Sequence, residues 1–271
     1  MLRAIVVMVL LLGSTAARAQ RAPDMATLDR GDGISKFGLD LGFSSLSKPP
    51  APYSAALRLD LYGQYVMQSG LGFYGSLPLS LSFGGEGMPR PPEAENATAL
   101  GNLDLGLLFV RSGEQLSWVF RGGLAPPTAT GGIDHGLTRY FATAPRLTDL
   151  ALASDQWYLR LSVSPLIHVN HVFFQADLGV DLNLDSDFYH LLRFNIGGGI
   201  DLGVVALSLE LVNTASFGDF TGEEDFFHAL AFTVRFMGER FQPFLSIGLP
   251  IDAYRRDAIQ FWISGGLAIT F

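Results

Sequence analysis

The 271-residue sequence contains no cysteine, which excludes a disulfide framework, a thiolate metal site and a lipid-modified cysteine anchor. Long apolar runs are missing too. Ala4–Leu12 is the longest near the start, and nine residues fall far short of the roughly 20 that a spanning helix needs. Basic residues are scarce: Lys and Arg number 18 against 26 Asp and Glu, and without Arg3 and Arg18 of the first segment the balance is 16 against 26, a formal charge of −10. That sign disfavours nucleic acid as a partner. No metal ligand set or cofactor motif is present, so no cofactor and no metal are expected.

What the sequence does have is 48 % hydrophobic residues and 31 glycines, a combination that a barrel accommodates because half of its strand residues face lipid and half a polar interior. The last fourteen residues show the pattern most clearly. Ile259, Phe261, Ile263, Leu267, Ile269 and Phe271 alternate with Gln260, Trp262, Ser264, Gly266, Ala268 and Thr270, and alternate side chains on a strand point to opposite faces. About twelve such strands are expected, near 34–46, 53–68, 71–83, 98–112, 114–124, 155–166, 171–183, 190–201, 203–213, 226–237, 239–251 and 258–271. Tight turns at 68–71, 111–114, 168–171, 202–203 and 237–239 alternate with longer connections at 47–52, 84–97, 125–154, 184–189, 214–225 and 252–257. One rim of short turns and one of long loops is the arrangement of a membrane barrel. The expected fold class is all-β, a closed antiparallel transmembrane β-barrel of about 12 strands. Residues 1–19 read as an export signal, with Arg3, the apolar run and Ala17-Arg18-Ala19 before Gln20. Residues 20–33 read as a mobile periplasmic leader, a plug inside the lumen being the other reading, and 34–271 as the barrel.

Parity assigns the two walls. Leu39, Leu41 and Phe43, Leu105 and Leu107, Phe174 and Leu178, or Phe232 and Val234 fall on one face. The opposite, lumen-lining face takes Lys36, Asp40, Arg58, Asp60, Asp104, Arg121, Arg160, Asp177, Asp181, Arg193, Asp201, Glu210 and Arg235. A single Arg or Lys at the lipid midplane costs about 2 to 4 kcal/mol, so the charges belong inside. There they either line a solute path or pair across strands, Arg58 with Asp60 and Arg193 and Asp201 with Glu210 being the expected partners. Tyr53, Tyr65, Phe73, Trp157, Phe188, Tyr189, Phe226, Phe227, Phe241 and Phe261 are expected in interfacial girdles. Pro78 and Pro165 should mark a bulge or a strand end, and Trp262 points inward.

Within 125–154, Leu137, Tyr140, Phe141, Ala144, Leu147, Leu150 and Ala151 recur near helical spacing, with Pro145 as a boundary. Three placements stay open: a lid across the mouth, a constriction in the lumen, or a turn packed on the rim. Asp181, Asn183, Asp185 and Asp187 are spaced like the start of a calcium loop, but Ser186 stands where that loop needs glycine and Leu192 where it needs a carboxylate. This run, and the cluster Asp219, Glu223, Glu224 and Asp225, read as solvated acidic loops, the other reading being divalent-cation binding with lipopolysaccharide at the outer rim. His135, His168, His171, His190 and His228 are scattered, and no Gly-x-Ser-x-Gly elbow is present, so no enzyme is expected.

Two resemblances add to this reading. The terminal strand ending on Phe271 resembles the closing strand of bacterial outer-membrane barrels, which implies an outer-membrane location, recognition by the barrel-assembly machinery, and contact with outer-membrane lipids including lipopolysaccharide. Ala99-Leu100-Gly101-Asn102-Leu103-Asp104-Leu105-Gly106-Leu107 is similar to the Gly-Leu-Gly-Asp-Leu-x-Leu-Gly strand of the outer-membrane family associated with meta-pathway phenol degradation, with Asn102 in place of the family's Asp. That resemblance implies transport of small, often aromatic compounds. The functional expectation is a porin-like passive channel or facilitated-uptake barrel for a small-molecule solute. The alternative is a structural or interaction barrel with an occluded lumen that presents its outer loops.

Overall fold

The computed structural model describes residues 23–47, 51, 53–84, 97–131, 133–185, 189–217 and 226–271. The export signal at 1–19, the acidic cluster at 219–225, and Asp187 and Phe188 lie outside the described residues. Thirteen strand segments close into a twelve-strand antiparallel barrel. They are β1 (Lys36–Leu46), β2 (Tyr53–Val66), β3 (Leu71–Gly84), β4 (Thr98–Leu100), β5 (Asp104–Ser112), β6 (Leu116–Ala125), β7 (Tyr158–Val169), β8 (Val172–Asn183), β9 (His190–Asp201), β10 (Val205–Phe217), β11 (Phe226–Phe236), β12 (Phe241–Pro250) and β13 (Ile259–Thr270). Closure comes from β1, which pairs with β2 on one side and with β13 on the other, Lys36 lying opposite both Gln64 and Thr270.

The periplasmic rim is built from tight turns. Asn170 (φ 56°) and Gly203 (φ 86°) adopt the left-handed conformation that lets β7 return as β8 and β9 as β10. The opposite rim carries every long connection. Outward residues such as Leu107 and Leu178 are exposed, while the intervening residues are buried. An exterior of this kind is stable only against hydrocarbon, and the geometry is that of an outer-membrane barrel.

The expected single strand at 98–112 is broken. Pro78 on β3 has no N–H to give, the partner register changes by one residue between Ser76–Asp104 and Leu79–Leu100, and residues 101–103 leave the ladder. Gly101 still donates its N–H to Pro78 O at 2.9 Å, while Asn102 donates to Leu152 O at 2.8 Å. Pro165 behaves differently from expectation. It lies opposite Trp118 inside β7 with the β7–β8 register identical on both sides, so the ladder loses bonds without a bulge.

Two segments fill the barrel. Between β6 and β7 the chain forms α1 (Ile133–Ala142) and a 3-10 segment (Ala144–Ala153), all of whose residues are buried. Pro145 sits at the start of the second segment, as its fixed φ favours. From the other end comes the leader, expected as a mobile periplasmic tail. Residues 23–28 are instead buried, with Met25 and Leu28 in the same apolar cluster as Phe141, Leu147 and Trp262.

Candidate functional site: a lumen closed from both ends

Position along each strand decides which wall charges meet. Lys36 and Arg235 lie near the periplasmic end, Asp40 and Glu210 near mid-height, and Arg58, Arg160 and Arg193 above them, as the strand registers show. Twelve strands enclose more space than wall side chains fill. The charges left facing that space are satisfied mainly by the two inserted segments.

The leader enters from the periplasmic side and is tied to the wall residue by residue. Lys36 Nζ pairs with Asp24 at 2.6 Å and Asp32 at 2.9 Å. Arg30 pairs with Asp40 at 2.9 Å and stacks on the Tyr62 ring, 3.4 Å from its centroid. Asp29 receives Arg193 at 3.0 Å and the Ser162 hydroxyl at 2.8 Å. Arg121 donates to Arg30 O and to Gln64, and Arg235 donates to Asp24 O at 2.9 Å. Glu210 serves the leader backbone: it accepts from Ala26 N, Thr27 N and the Thr27 hydroxyl, as well as from Ser208 and Thr233.

The outer segment descends to meet it. Asp149 lies among three guanidiniums, Arg58 at 2.8 Å, Arg146 at 2.9 Å and Arg160 at 3.3 Å. Arg160 also holds Asp104 and, at 3.2 Å, Asp181. The two segments touch directly. Arg146 donates to Ala26 O at 3.0 Å and Thr148 to Thr27 O at 3.2 Å.

Glycines on the inner wall make room for this filling. A Cβ built on Gly42 would stand 2.6 Å from Cγ of Pro145, and one on Gly197 would overlap the Met25 thioether. Between the two segments and the wall lies a cavity of about 30 Å³ bordered by Asp29, Arg30, Gln64, Arg121, Asp149 and Arg160. A cavity of that size has room for about two or three water molecules. A larger depression of about 440 Å³ lies on the lipid-facing side, where Gly63 and Gly75 pair across β2 and β3 and leave the wall thin between Phe37, Leu61, Phe73 and Leu105. It opens on the hydrocarbon side, and Tyr62, Gln64, Tyr74 and Ser76 border both it and the lumen cavity.

The carboxyls of the inserted segments are tuned by this network. Burial alone would raise Asp24, but Lys36, Arg235 and Arg30 outweigh it and hold the group at about 2. Burial is likewise outweighed at Asp29 by Arg193, Arg121 and Arg160, and at Asp149 by Arg146, Arg58 and Arg160, so both lie below the usual carboxylate range. Asp32 goes the other way: burial, reinforced by the Asp24 charge, raises it against the pull of the Lys36 ammonium that the two acids share.

Of the thirteen expected lumen residues, twelve have their charged ends among these networks or buried beside them. Asp177 belongs to the second group, taking Ser164 and Asn195 rather than a leader atom. Asp201 departs from the expectation. It sits at the periplasmic turn, where its carboxylate accepts from Gly203 N at 2.8 Å. The expected grouping of Arg193 and Asp201 with Glu210 is corrected as well, because Arg193 lies opposite Thr214, Glu210 opposite Gly197 and Asp201 opposite Ala206, too far apart along the barrel to pair. Arg58 does grip Asp60, through Nε at 2.7 Å and Nη2 at 2.8 Å.

The aromatic assignments divide. Tyr65, Phe73, Trp157, Phe226 and Phe241 are exposed on the outside, whereas Tyr53 and Phe227 are buried on the inward side. With Tyr140 and Tyr189 packed beside it, Phe227 forms part of an apolar cluster at the outer mouth. The histidines are dispersed: His228 meets Asn213 at 2.7 Å, His190 accepts from Asn183 N, and His168 and His171 flank Asp201 at the periplasmic rim. Sequence reasoning missed Asp24, Asp29, Arg30 and Asp32 of the leader and Arg146 and Asp149 of the loop. The signal for them was charge in segments too short to fold alone, next to a wall rich in ions.

Solved structures with the same architecture are outer-membrane proteins. The COG4313 outer membrane channel from Pseudomonas putida F1 matches with a TM-score of 0.61 at 13 % identity, over 94 % of this chain and 98 % of that one. The NanC porin matches with a TM-score of 0.52 at 11 % identity, over 86 % of this chain and 98 % of that one. At such identities the likeness is one of fold. No family model matches the chain, and neither does any curated protein.

Proposed function

We propose that this chain is an outer-membrane channel for a small solute, held shut by two plugs and opened when one of them moves. The observation that carries the reading is the direct contact of the leader and the outer loop inside the barrel, Arg146 with Ala26 O and Thr148 with Thr27 O. A barrel built only to present loops needs a filled interior, but it has no need of two separate chain segments held to the wall by a dense set of ion pairs in addition to apolar packing. Buried ion pairs contribute little net stability compared with apolar side chains of the same volume. They do permit a segment to leave, because each partner regains hydration outside. The solute class implied by the Ala99–Leu107 resemblance, small and often aromatic compounds, belongs to this proposal, and the chain acts by conduction and carries out no chemistry.

Planar-bilayer recording tests it with three proteins: the full mature chain, a chain lacking residues 20–33, and a chain in which 130–153 is replaced by a short Gly-Ser linker. The full chain is expected to be closed most of the time with brief openings, and each deletion is expected to give long-lived conductance. If both deletion variants insert as folded barrels and neither conducts, the interaction barrel with an occluded lumen replaces the channel.

A further inference from the structure

At the outer mouth one cation is unlike all the others. Arg255 belongs to α2 (Ala253–Ala258) in the β12–β13 connection, and Asp252 caps that turn by accepting Arg255 N at 2.7 Å. Its side chain turns inward and is buried, with the guanidinium carbon 4.1 Å from the centroid of Phe227 and 5.1 Å from that of Tyr140. The rings offer their faces to the charge, but they do not satisfy its N–H groups. Nε and Nη2 of Arg255 have no hydrogen-bond partner. The other buried arginines among the described residues, Arg58, Arg139, Arg146, Arg160, Arg193 and Arg235, each donate at least one.

The two vacant donors form one edge of the guanidinium. That edge is the fork whose spacing matches the two oxygens of a carboxylate, and this protein uses it that way at Arg58, where Nε and Nη2 grip Asp60. A buried charge with an unfilled fork needs an acceptor, and a planar anion fits it best. Its surroundings restrict the rest of the ligand. Phe227 belongs to a cluster with Leu150, Ala151 and Leu191, and Tyr140 and Tyr189 pack on it, so the body beside the carboxylate must be apolar.

We propose that Arg255 is the carboxylate-binding residue of a solute site at the outer mouth, specific for small monocarboxylates with an apolar body. Tyr140 lies on α1, so a ligand seated on Arg255 competes with a contact that helps hold the outer plug in place. That consequence rests on the plugged-channel reading; the binding site itself does not.

Binding is measured on the folded full-length mature protein in detergent by isothermal titration, with benzoate, hexanoate and benzyl alcohol as probes. Benzoate and hexanoate are expected to bind saturably, and benzyl alcohol, which has the ring but no carboxylate, at least tenfold more weakly. Arg255→Gln should lose tenfold or more in benzoate affinity, and Arg255→Lys nearly as much because an ammonium cannot form the fork. Equal binding of benzoate and benzyl alcohol by the unaltered protein overturns the proposal without recourse to any variant. So does the absence of saturable benzoate binding, as when water alone fills the fork, or an Arg255→Gln protein that keeps heat-modifiable gel migration and unchanged affinity. Conductance is not read in this experiment, so a failed channel and a failed site give different results.

Discussion

The hydroxyl of Thr148 donates to the backbone carbonyl of Thr27 at 3.2 Å, across 121 residues of sequence and from opposite ends of the barrel. One residue arrived from the outer rim and the other from the periplasmic side, and neither belongs to a strand. Their contact lies beside Asp149, on which three guanidiniums converge. The meeting point of the two segments therefore rests on an acid carried by the inserted outer segment and cations carried mostly by the wall.

Replacing Asp149 by Ala should open the channel. Breaking a buried ion pair from one side costs about 3 to 5 kcal/mol, and the lower end applies because Arg58 keeps Asp60 and Arg160 keeps Asp104 and Asp181. About 3 kcal/mol corresponds to roughly a hundredfold change in the closed-to-open ratio. Single-channel recording reads it as open probability, while heat-modifiable gel migration should show that the barrel itself still folds. An unchanged open probability would mean that Asp149 only fills space.

Acid should act on the same contacts. Asp24, Asp29 and Asp149 have folded values below the ordinary carboxylate value, so their contribution is whole above about pH 4 and is lost as pH falls through the folded values, about 2 for Asp24. Asp32 has the opposite sign. Its value is raised, so its charged form is held at a cost that protonation relieves as pH falls through that value. Conductance should stay low from pH 8 down to about 4, without any rise where histidine titrates, and should increase only below about 4. A bilayer pH series checks this, and opening that begins near pH 6 would count against it.

Parity placed Arg58, Arg160, Arg193 and Arg235 on the inner wall because a hydrocarbon exterior leaves charges no other side. For partners it offered only wall residues, correctly for Arg58 with Asp60 and wrongly for Arg193 with Glu210. Arg193 meets Asp29, 164 residues away, and nothing in a strand's alternation reports on a residue outside the strands. The leader was read first as a tail because residues 20–33 are polar and turn-rich, with a lumen plug as the other reading, yet a polar segment surrounded by an ion-rich wall finds its partners there. Phe227 and Tyr53 were assigned outward because they sit at strand ends, where a girdle and a mouth differ only by one step of register. Arg255 was overlooked because it lies in a connection, 252–257, where strand parity assigns no side, and only the fold reveals that its side chain turns into the mouth.

The outer wall makes an independent prediction. Leu107 is exposed near the middle of β5, so Leu107→Arg should cost about 2 to 4 kcal/mol of barrel stability in lipid. Leu107→Phe should be almost neutral. Urea titration of both variants in phospholipid vesicles, followed by tryptophan fluorescence, separates them, and equal midpoints would contradict a lipid-facing Leu107.

Two inward glycines with different neighbours give the sharpest contrast. At Gly42 a new Cβ meets the ring of Pro145, with Cγ at 2.6 Å and Cβ at 2.9 Å, and a proline ring cannot turn aside without moving its backbone. At Gly197 the nearest atoms are the sulfur and methyl of Met25, the far end of a flexible side chain that can change rotamer, and the next is Leu209 O at 3.3 Å, which asks for a shift of only a few tenths of an ångström. Gly42→Ala should therefore displace the outer plug, at about 1 to 3 kcal/mol of overpacking, which is roughly a five- to hundredfold gain in open probability. Gly197→Ala should leave conductance within about threefold of the unaltered protein, because Met25 can absorb the methyl group at well under 1 kcal/mol. The same recordings also locate the gate: if the Gly197 variant opens and the Gly42 variant does not, the leader moves first and the outer segment is the fixed part of the closure.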